Sequence, residues 1–566
     1  MVIHSRRRFD FLSRWSVPLT LTLILVVGCG PGDKRDAASD AASDAAAQVP
    51  SPETTTPPRG AEVPPPAAEH DEADSAQEAI PIPAAAAAVP PAESQVGQAD
   101  LPVPSGPPEH WRDWESPAAV LVVSGQQYGY IEPCGCTGLE NQKGGLMRRG
   151  TLLKELRERG WEVVPLDAGN QIRRTGRQQG IKFQTAIKGL QQLDYETIGF
   201  GADDLRLGAS ELLSVAADDG ENSSGFASAN VELLAPDLIP RFRQLNRGGL
   251  QIGVTTALDP TTVLTQIDEA IVIGDLQSTL AETLAKMQQG GCTWKILLLF
   301  GSEEAAKKIA REVPGFDFII AAATVGEPLY QAELVPGTST RVIKTGDKGM
   351  YVGVIGLFPD GPPRYSRQPM DAQFEDAPEI LKLMAEYQDQ LRVLGLDGLQ
   401  VQPLAHPSGG QFVGTAKCGE CHTTAHAIWE GTPHAEATED LVHPGERSEI
   451  ARHFDPECLS CHVTGWNPQG YYPYTSGYLS LELTAAMTGN GCENCHGPGK
   501  EHVDAEESPE QWTAAQLQEI RERVTLPLEK ARERCLECHD LDNSPDFHQE
   551  GAFERYWAEV EHSGVD

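Results

Sequence analysis

One pentapeptide, repeated four times, limits what the C-terminal part of this chain can fold into. Cys418-Gly-Glu-Cys421-His422, Cys458-Leu-Ser-Cys461-His462, Cys492-Glu-Asn-Cys495-His496 and Cys535-Leu-Glu-Cys538-His539 start 40, 34 and 43 residues apart. Two thiols about one helical turn apart can add to the two vinyl groups of one porphyrin, and the adjacent imidazole reaches its iron as proximal ligand. With 12 Cys and 15 His in 566 residues, random placement yields about 0.007 such pentapeptides. A Cys₂His₂ zinc site would carry its histidines on a separate segment, not fused behind each cysteine pair. The sequence therefore predicts four covalently attached haem c groups, with His422, His462, His496 and His539 on the irons. Four porphyrins leave residues 414–566 little room for a side-chain core. A mainly helical or irregular domain packed around the haems is expected, with short helices near 420–429, 513–524 and 526–537. Haems packed edge to edge pass electrons from iron to iron.

The chain has 45 basic and 82 acidic residues and a net charge of −37, which argues against nucleic acid as a partner. It suits a solvated envelope protein or the docking of basic redox proteins. The N-terminus reads as an export signal: Arg6, Arg7, Arg8 and Arg14 precede the short apolar run Val17 to Val27. Leu25-Val26-Val27-Gly28-Cys29 resembles a bacterial lipobox, which implies lipidation at Cys29 and a membrane anchor facing the periplasm or exterior. Ser5-Arg6-Arg7-Arg8-Phe9 also resembles a twin-arginine signal. Haem is attached to unfolded apoprotein after export, so the general secretory route is expected. Residues 1–29 thus form the signal segment. Residues 30–116, rich in Ala, Pro and acidic residues, lack apolar periodicity and read as a disordered tether.

From 117 to 360 strand-like and helix-like segments alternate, which predicts a layered α/β domain. Val120 to Val123, Glu162 to Leu166, Lys295 to Phe300, Phe316 to Ala322 and Met350 to Phe358 read as strands, and Gly145 to Arg159 and Ser302 to Glu312 as helices. Residues 361–413, with a helix from Ala377 to Leu394, form a bridge. Leu121 to Tyr130, Gly144-Gly145-Leu146, Leu166-Asp167-Ala168-Gly169, Gly201 to Gly208 and Gly349 to Gly353 are similar to the metal-dependent 5′-nucleotidase/metallophosphoesterase family. The family's ligands do not carry over. Its Asp-x-His falls on Gln126 and Tyr128, the Asp of its Gly-Asp on Asn170, its Asn-His on Ala202 and Asp203, and its Gly-His-x-His on Ala322 to Val325. No histidine stands between His110 and His406, so two-metal phosphatase chemistry is not expected. The same domain carries Glu132-Pro133-Cys134-Gly135-Cys136, whose two thiols could form a disulfide, a soft metal ligand set or a reactive pair. Cys292 reads as a core residue.

From Gly414 onward the chain resembles multihaem cytochromes c of the tetrahaem cytochrome c-554/c-prime type. Beyond the four attachment sites, Phe412-Val413-Gly414, Trp429 to Ala435, Cys461 to Gly465, and Gly491 to Gly499 with His502 carry the likeness. Eight histidines from His406 onward remain for the far side of the irons. The resemblance singles out His434 and His502, then His562 and His453, as candidate distal ligands. The expected function is a membrane-tethered electron carrier working between redox proteins or quinol-linked donors. The alternatives are a multihaem oxidoreductase acting on a small nitrogen or sulfur compound, and a ligand-binding module that delivers a partner to the haems.

Overall fold

The computed structural model describes residues 110–133, 142–218, 223–445 and 448–563. Cys29, Cys134 and Cys136 lie outside these residues. No helix among the described residues is long and apolar enough to cross a membrane.

Two sheets build the α/β part. The first holds five strands in the order Arg364–Pro369, Tyr351–Leu357, Ala119–Ser124, Val163–Asp167, Thr197–Ile198. The second holds six, in the order Glu333–Leu334, Arg341–Lys344, Phe318–Ala322, Trp294–Phe300, Leu250–Leu258, Arg243–Arg247. Every residue of Ala119–Ser124 and of Tyr351–Leu357 is buried, as expected of central strands covered on both faces. Val120 and Val122 from one sheet share a core with Val254, Leu298 and Ile320 from the other. Leu297, Leu299 and Ile319 point the opposite way, into a second cluster with Leu280 and Leu284 of the helix Leu276–Gln289 and Ile309 of Glu303–Glu312. The helices Gly145–Glu158, Arg177–Gln192 and Pro378–Gly398 bury Leu146, Ile187 and Ile380 in the first core. The arrangement is therefore helices, sheet, sheet, helices. Cys292 is buried in the second cluster.

The sheet does not end at residue 360. Arg364–Pro369 pairs antiparallel with Tyr351–Leu357, with Ile355 opposite Tyr365, and the helix Pro378–Gly398 packs on the two helices before it. Much of the segment read as a bridge thus belongs to the α/β layers. The Pro362-Pro363 pair marks no domain boundary and only turns the chain between two adjacent strands. The helix itself outlasts its expected end and crosses a kink at Gly395, φ 60°.

The C-terminal part is built differently. Short helices, Thr415–Gly419, Thr423–Glu430, Pro456–His462, Cys492–His496, Lys500–Glu507, Ala514–Arg523 and Leu528–Cys535, are joined by turns and one two-stranded ribbon. Thr513 caps its helix through a reciprocal capping box with Gln516. Among the described residues the side-chain core here is one cluster of eight buried residues, including Leu459, Val463, Trp466 and Tyr478, with a few isolated buried side chains such as Ile520 and Phe547. That is too little apolar burial to offset the ordering of about 150 residues without a further core component.

Candidate functional site

The second and third attachment motifs lie at the starts of the helices Pro456–His462 and Cys492–His496, whereas the first and fourth begin at the ends of Thr415–Gly419 and Leu528–Cys535. Asp455 caps Pro456–His462 by accepting from Glu457 N at 2.9 Å, and Pro456 supplies the first-turn proline. The intervening residues of the third motif tie the motifs together. The Glu493 carboxylate, 3% exposed, accepts from the backbone N–H of Gly414 (2.7 Å), Val413 (3.0 Å) and Gly499 (2.7 Å). Asn494 donates to Val463 O at 2.9 Å and accepts from Gly465 N at 3.2 Å. The Cys418 and Cys492 side chains meet, as do those of Cys461 and Cys538. Motifs one and three, and two and four, therefore stand back to back.

The imidazoles fall into facing pairs. His422 and His502 have ring centroids 6.1 Å apart, His434 and His539 6.1 Å, and His496 and His562 5.7 Å. Two metal–imidazole bonds of about 2 Å each, plus the two half-rings, span roughly that distance. A metal held between each pair would be bonded on both sides. His462 Nδ1 donates to Ala437 O (2.7 Å) and His496 Nδ1 to Val524 O (2.8 Å), and His539 Nδ1 shares a hydrogen bond with the Ser544 hydroxyl (3.1 Å). Tying Nδ1 in this way leaves Nε2 to carry the lone pair, the tautomer an iron requires. The donor set, its spacing and the sparse side-chain core fit covalently bound haem c.

His453, the fourth distal candidate, packs against Phe454 at 3.7 Å between ring centroids and faces none of the motif histidines. No ring stands against His462 among the described residues. His426 packs against Trp429 and His406 against Tyr474, while His548 Nε2 donates to His539 O. His434 owes its position to a lock between two segments: Asn490 N donates to His434 O, and Trp429 Nε1 to Asn490 O, both at 2.9 Å.

The loops that resemble a phosphoesterase centre do converge at one end of the sheets, but with groups unsuited to holding metal. Tyr128 donates to Gln126 Oε1 at 2.9 Å, and Gln126 Nε2 donates to Thr324 O at 3.3 Å. Asn170 Nδ2 donates to Asp203 Oδ2 at 3.0 Å. Gln126, Tyr128, Asn170 and Ala323 all adopt left-handed backbone, φ 53° to 67°, a conformation non-glycine residues hold only where surroundings enforce it. Gly201 permits the closest approach, since a Cβ there would lie 2.4 Å from Asn170 N. Beneath the loops Arg149, 0% exposed, bonds Ser124 Oγ (2.9 Å), Tyr195 OH (3.0 Å) and Asp167 Oδ2 (3.4 Å). Among the described residues no cluster of three His, Cys, Asp or Glu side chains could hold a metal ion. The full-length protein supplied with manganese or zinc is expected to release no phosphate from AMP above a protein-free blank; robust metal-dependent release would show that the ligands were misassigned.

Sequence reasoning overlooked the contact between the two parts. Lys182 and Arg174 (3.0 Å) pair with Glu457, Gln178 donates to Asp455 (2.6 Å), and Glu132 pairs with Arg452. Lys348 (3.0 Å) and Arg173 pair with Asp542, three residues beyond the last motif. Asp455-Pro456-Glu457 was readable as a helix start, but nothing local names partners so far away along the chain.

Residues 417–497 match the family model for Cytochrome c554 and c-prime. They include three of the four pentapeptides; the fourth lies beyond. Cytochrome c-554 of Nitrosomonas europaea is 35% identical over 99 residues, 16% of this chain and 39% of that protein. Snake venom 5′-nucleotidase of Gloydius brevicauda is 24% identical over 245 residues, 40% of each chain. The chain thus spans about two-fifths of the length of these relatives. Among solved structures, a 5′-nucleotidase precursor from Thermus thermophilus is similar with a TM-score of 0.43 at 17% identity, covering 57% of this chain and 66% of that one. The sulfate thiohydrolase SoxB of Thermus thermophilus gives 0.43 at 14%, covering 50% and 62%. The C-terminal segment is accordingly one that resembles c-554-type cytochromes, a family of covalently bound haem c, and it follows a region that resembles 5′-nucleotidases.

Proposed function

We propose that this chain is a tetrahaem electron carrier of the bacterial cell envelope, anchored to a membrane through lipid on Cys29 and exchanging electrons with other redox proteins or quinol-linked donors. The observation that carries the reading is the three facing imidazole pairs, two at 6.1 Å and one at 5.7 Å. Bound haem supplies the ferric/ferrous couple. The chain's own part is to hold imidazoles on both sides of three irons, a coordination that favours electron transfer over ligand binding. The thiols of motifs one and three, and of two and four, neighbour each other, so haems bound there would lie side by side. The α/β part, lacking metal ligands among its described residues, serves as a scaffold.

A second reading rests on His462. No imidazole faces it among the described residues, so an iron held by His462 would be the one of the four available to a small nitrogen or sulfur compound, which it would reduce or oxidise. A pyridine haemochrome assay should give four haems per chain, and two or fewer in matured protein would end the tetrahaem reading. Carbon monoxide should shift the reduced spectrum of one haem in four. If no haem responds, the carrier reading stands alone; if several respond, the imidazole pairs are not ligands.

A further inference from the structure

The second attachment motif is the one the α/β part grips most closely. Arg452, Asp455 and Glu457 lie within six residues before Cys458, and each meets a partner from outside the cytochrome segment. Glu132 pairs with Arg452. Asp455, 3% exposed, accepts from Gln178 Nε2 at 2.6 Å and from Gln388 Nε2 at 3.0 Å. Glu457 holds two cations, Lys182 on one oxygen and Arg174 at 3.0 Å on the other, and also accepts from Gln179 at 2.7 Å. Lys182 and Gln179 occupy the buried face of the helix Arg177–Gln192. Alone, the cytochrome segment would set two carboxylates and Arg452 beside this attachment site. Docking brings two cations against Glu457, two glutamine amides against Asp455 and the Glu132 carboxylate against Arg452, and the field of Asp455, Arg452, Glu457 and Lys182 reaches the Cys458 sulfur.

Charges shielded from water act strongly over such distances. A positive charge beside a redox centre stabilises the added electron and raises its potential; a carboxylate does the reverse. We propose that Lys182, acting through Glu457, is a positioning residue of the α/β part that raises the reduction potential of the haem attached at Cys458 and Cys461. This rests on the electron-carrier reading above. It gives the degenerate domain a task that needs no catalysis: by setting two cations on the Glu457 carboxylate it makes the second haem a better electron acceptor than the cytochrome segment alone would.

The test is a spectropotentiometric titration of the full-length holoprotein. Lys182→Met should lower the midpoint of one haem and leave the other three in place. Glu457→Gln should raise the same midpoint. Lys182→Arg should keep the wild-type value, and the double variant Lys182→Met/Glu457→Gln should return close to it, because the pair is removed as a unit. Unchanged midpoints in both single variants, or shifts in the same direction, would overturn the proposal, the latter pointing to loosened packing. Should Lys182→Met not fold, Glu457→Gln decides alone: a rise supports the proposal and no shift defeats it. Haem content is read first in every sample. A wild-type protein without its haems would defeat the carrier reading, whereas full haem content with unmoved midpoints would defeat only this inference.

Discussion

Replacing His434 by alanine is expected to convert one low-spin haem to high spin and open it to carbon monoxide. Its imidazole faces His539, 6.1 Å away between ring centroids. The backbone that carries it is pinned by Asn490 and Trp429, independently of the side chain. The loop should therefore keep its path and leave an empty ligand position. The midpoint of that haem should move as well, since axial ligation is a main determinant of haem potential. His502→Ala should do the same to the haem of His422. His453→Ala serves as the control: its ring lies against Phe454 rather than a motif histidine, so the spin states should not change. Low-temperature electron paramagnetic resonance, counting high-spin signals per chain, reads all three variants. Unaltered spectra for His434→Ala and His502→Ala would mean that the second ligands come from elsewhere.

The largest loss of stability is expected at Arg149. Its guanidinium and the Asp167 carboxylate are both 0% exposed, 3.4 Å apart, with Ser124 and Tyr195 bonded to the same guanidinium nitrogen. Burial alone would favour the neutral guanidine, yet Tyr195 and Asp167 hold the Arg149 pKa above its ordinary value. Arg149→Ala strands Asp167 without its cation in a dry interior and should cost about 3–5 kcal/mol, the range for breaking a buried pair from one side. Arg149→Met combined with Asp167→Asn removes both charges and should recover most of that loss. Urea unfolding followed by far-ultraviolet circular dichroism gives the comparison as a shift in midpoint. A single variant no less stable than the double would show that the pair contributes little. Haem content should be unaffected, because this network lies wholly within the α/β layers.

What could be read from the sequence follows the range of the forces involved. Apolar runs such as Val120 to Val123 and Lys295 to Phe300 are strands because they bury both faces, a property each run carries within itself. The attachment motifs are local as well, and so is the cap at Thr513. The sheet's last strand was missed because Arg364–Pro369 is short and polar, and only its neighbour Tyr351–Leu357 makes it a strand. The helix Arg177–Gln192 went unread for a related reason. Its apolar stripe, Phe183, Ile187 and Leu190, fills only its second half, and the first half buries Gln178, Gln179 and Lys182, polar groups with partners in the cytochrome part. At the haem sites, the pairing of His434 with His539 joins positions 105 residues apart, and sequence reasoning could propose the ligand but not its partner. For His453 even the local setting offered no distinguishing feature.

The grip on residues 452–457 and on Asp542 also makes the α/β layers a mould for the chain next to two attachment motifs. Glu457 stands just before the second motif and Asp542 just after the fourth, so the chain beside both attachment sites is held in place by cations of the α/β part. The α/β layers emerge first during synthesis and can fold alone on their own apolar cores. They then present Lys182, Arg174 and Lys348 as a waiting dock for a segment still being matured.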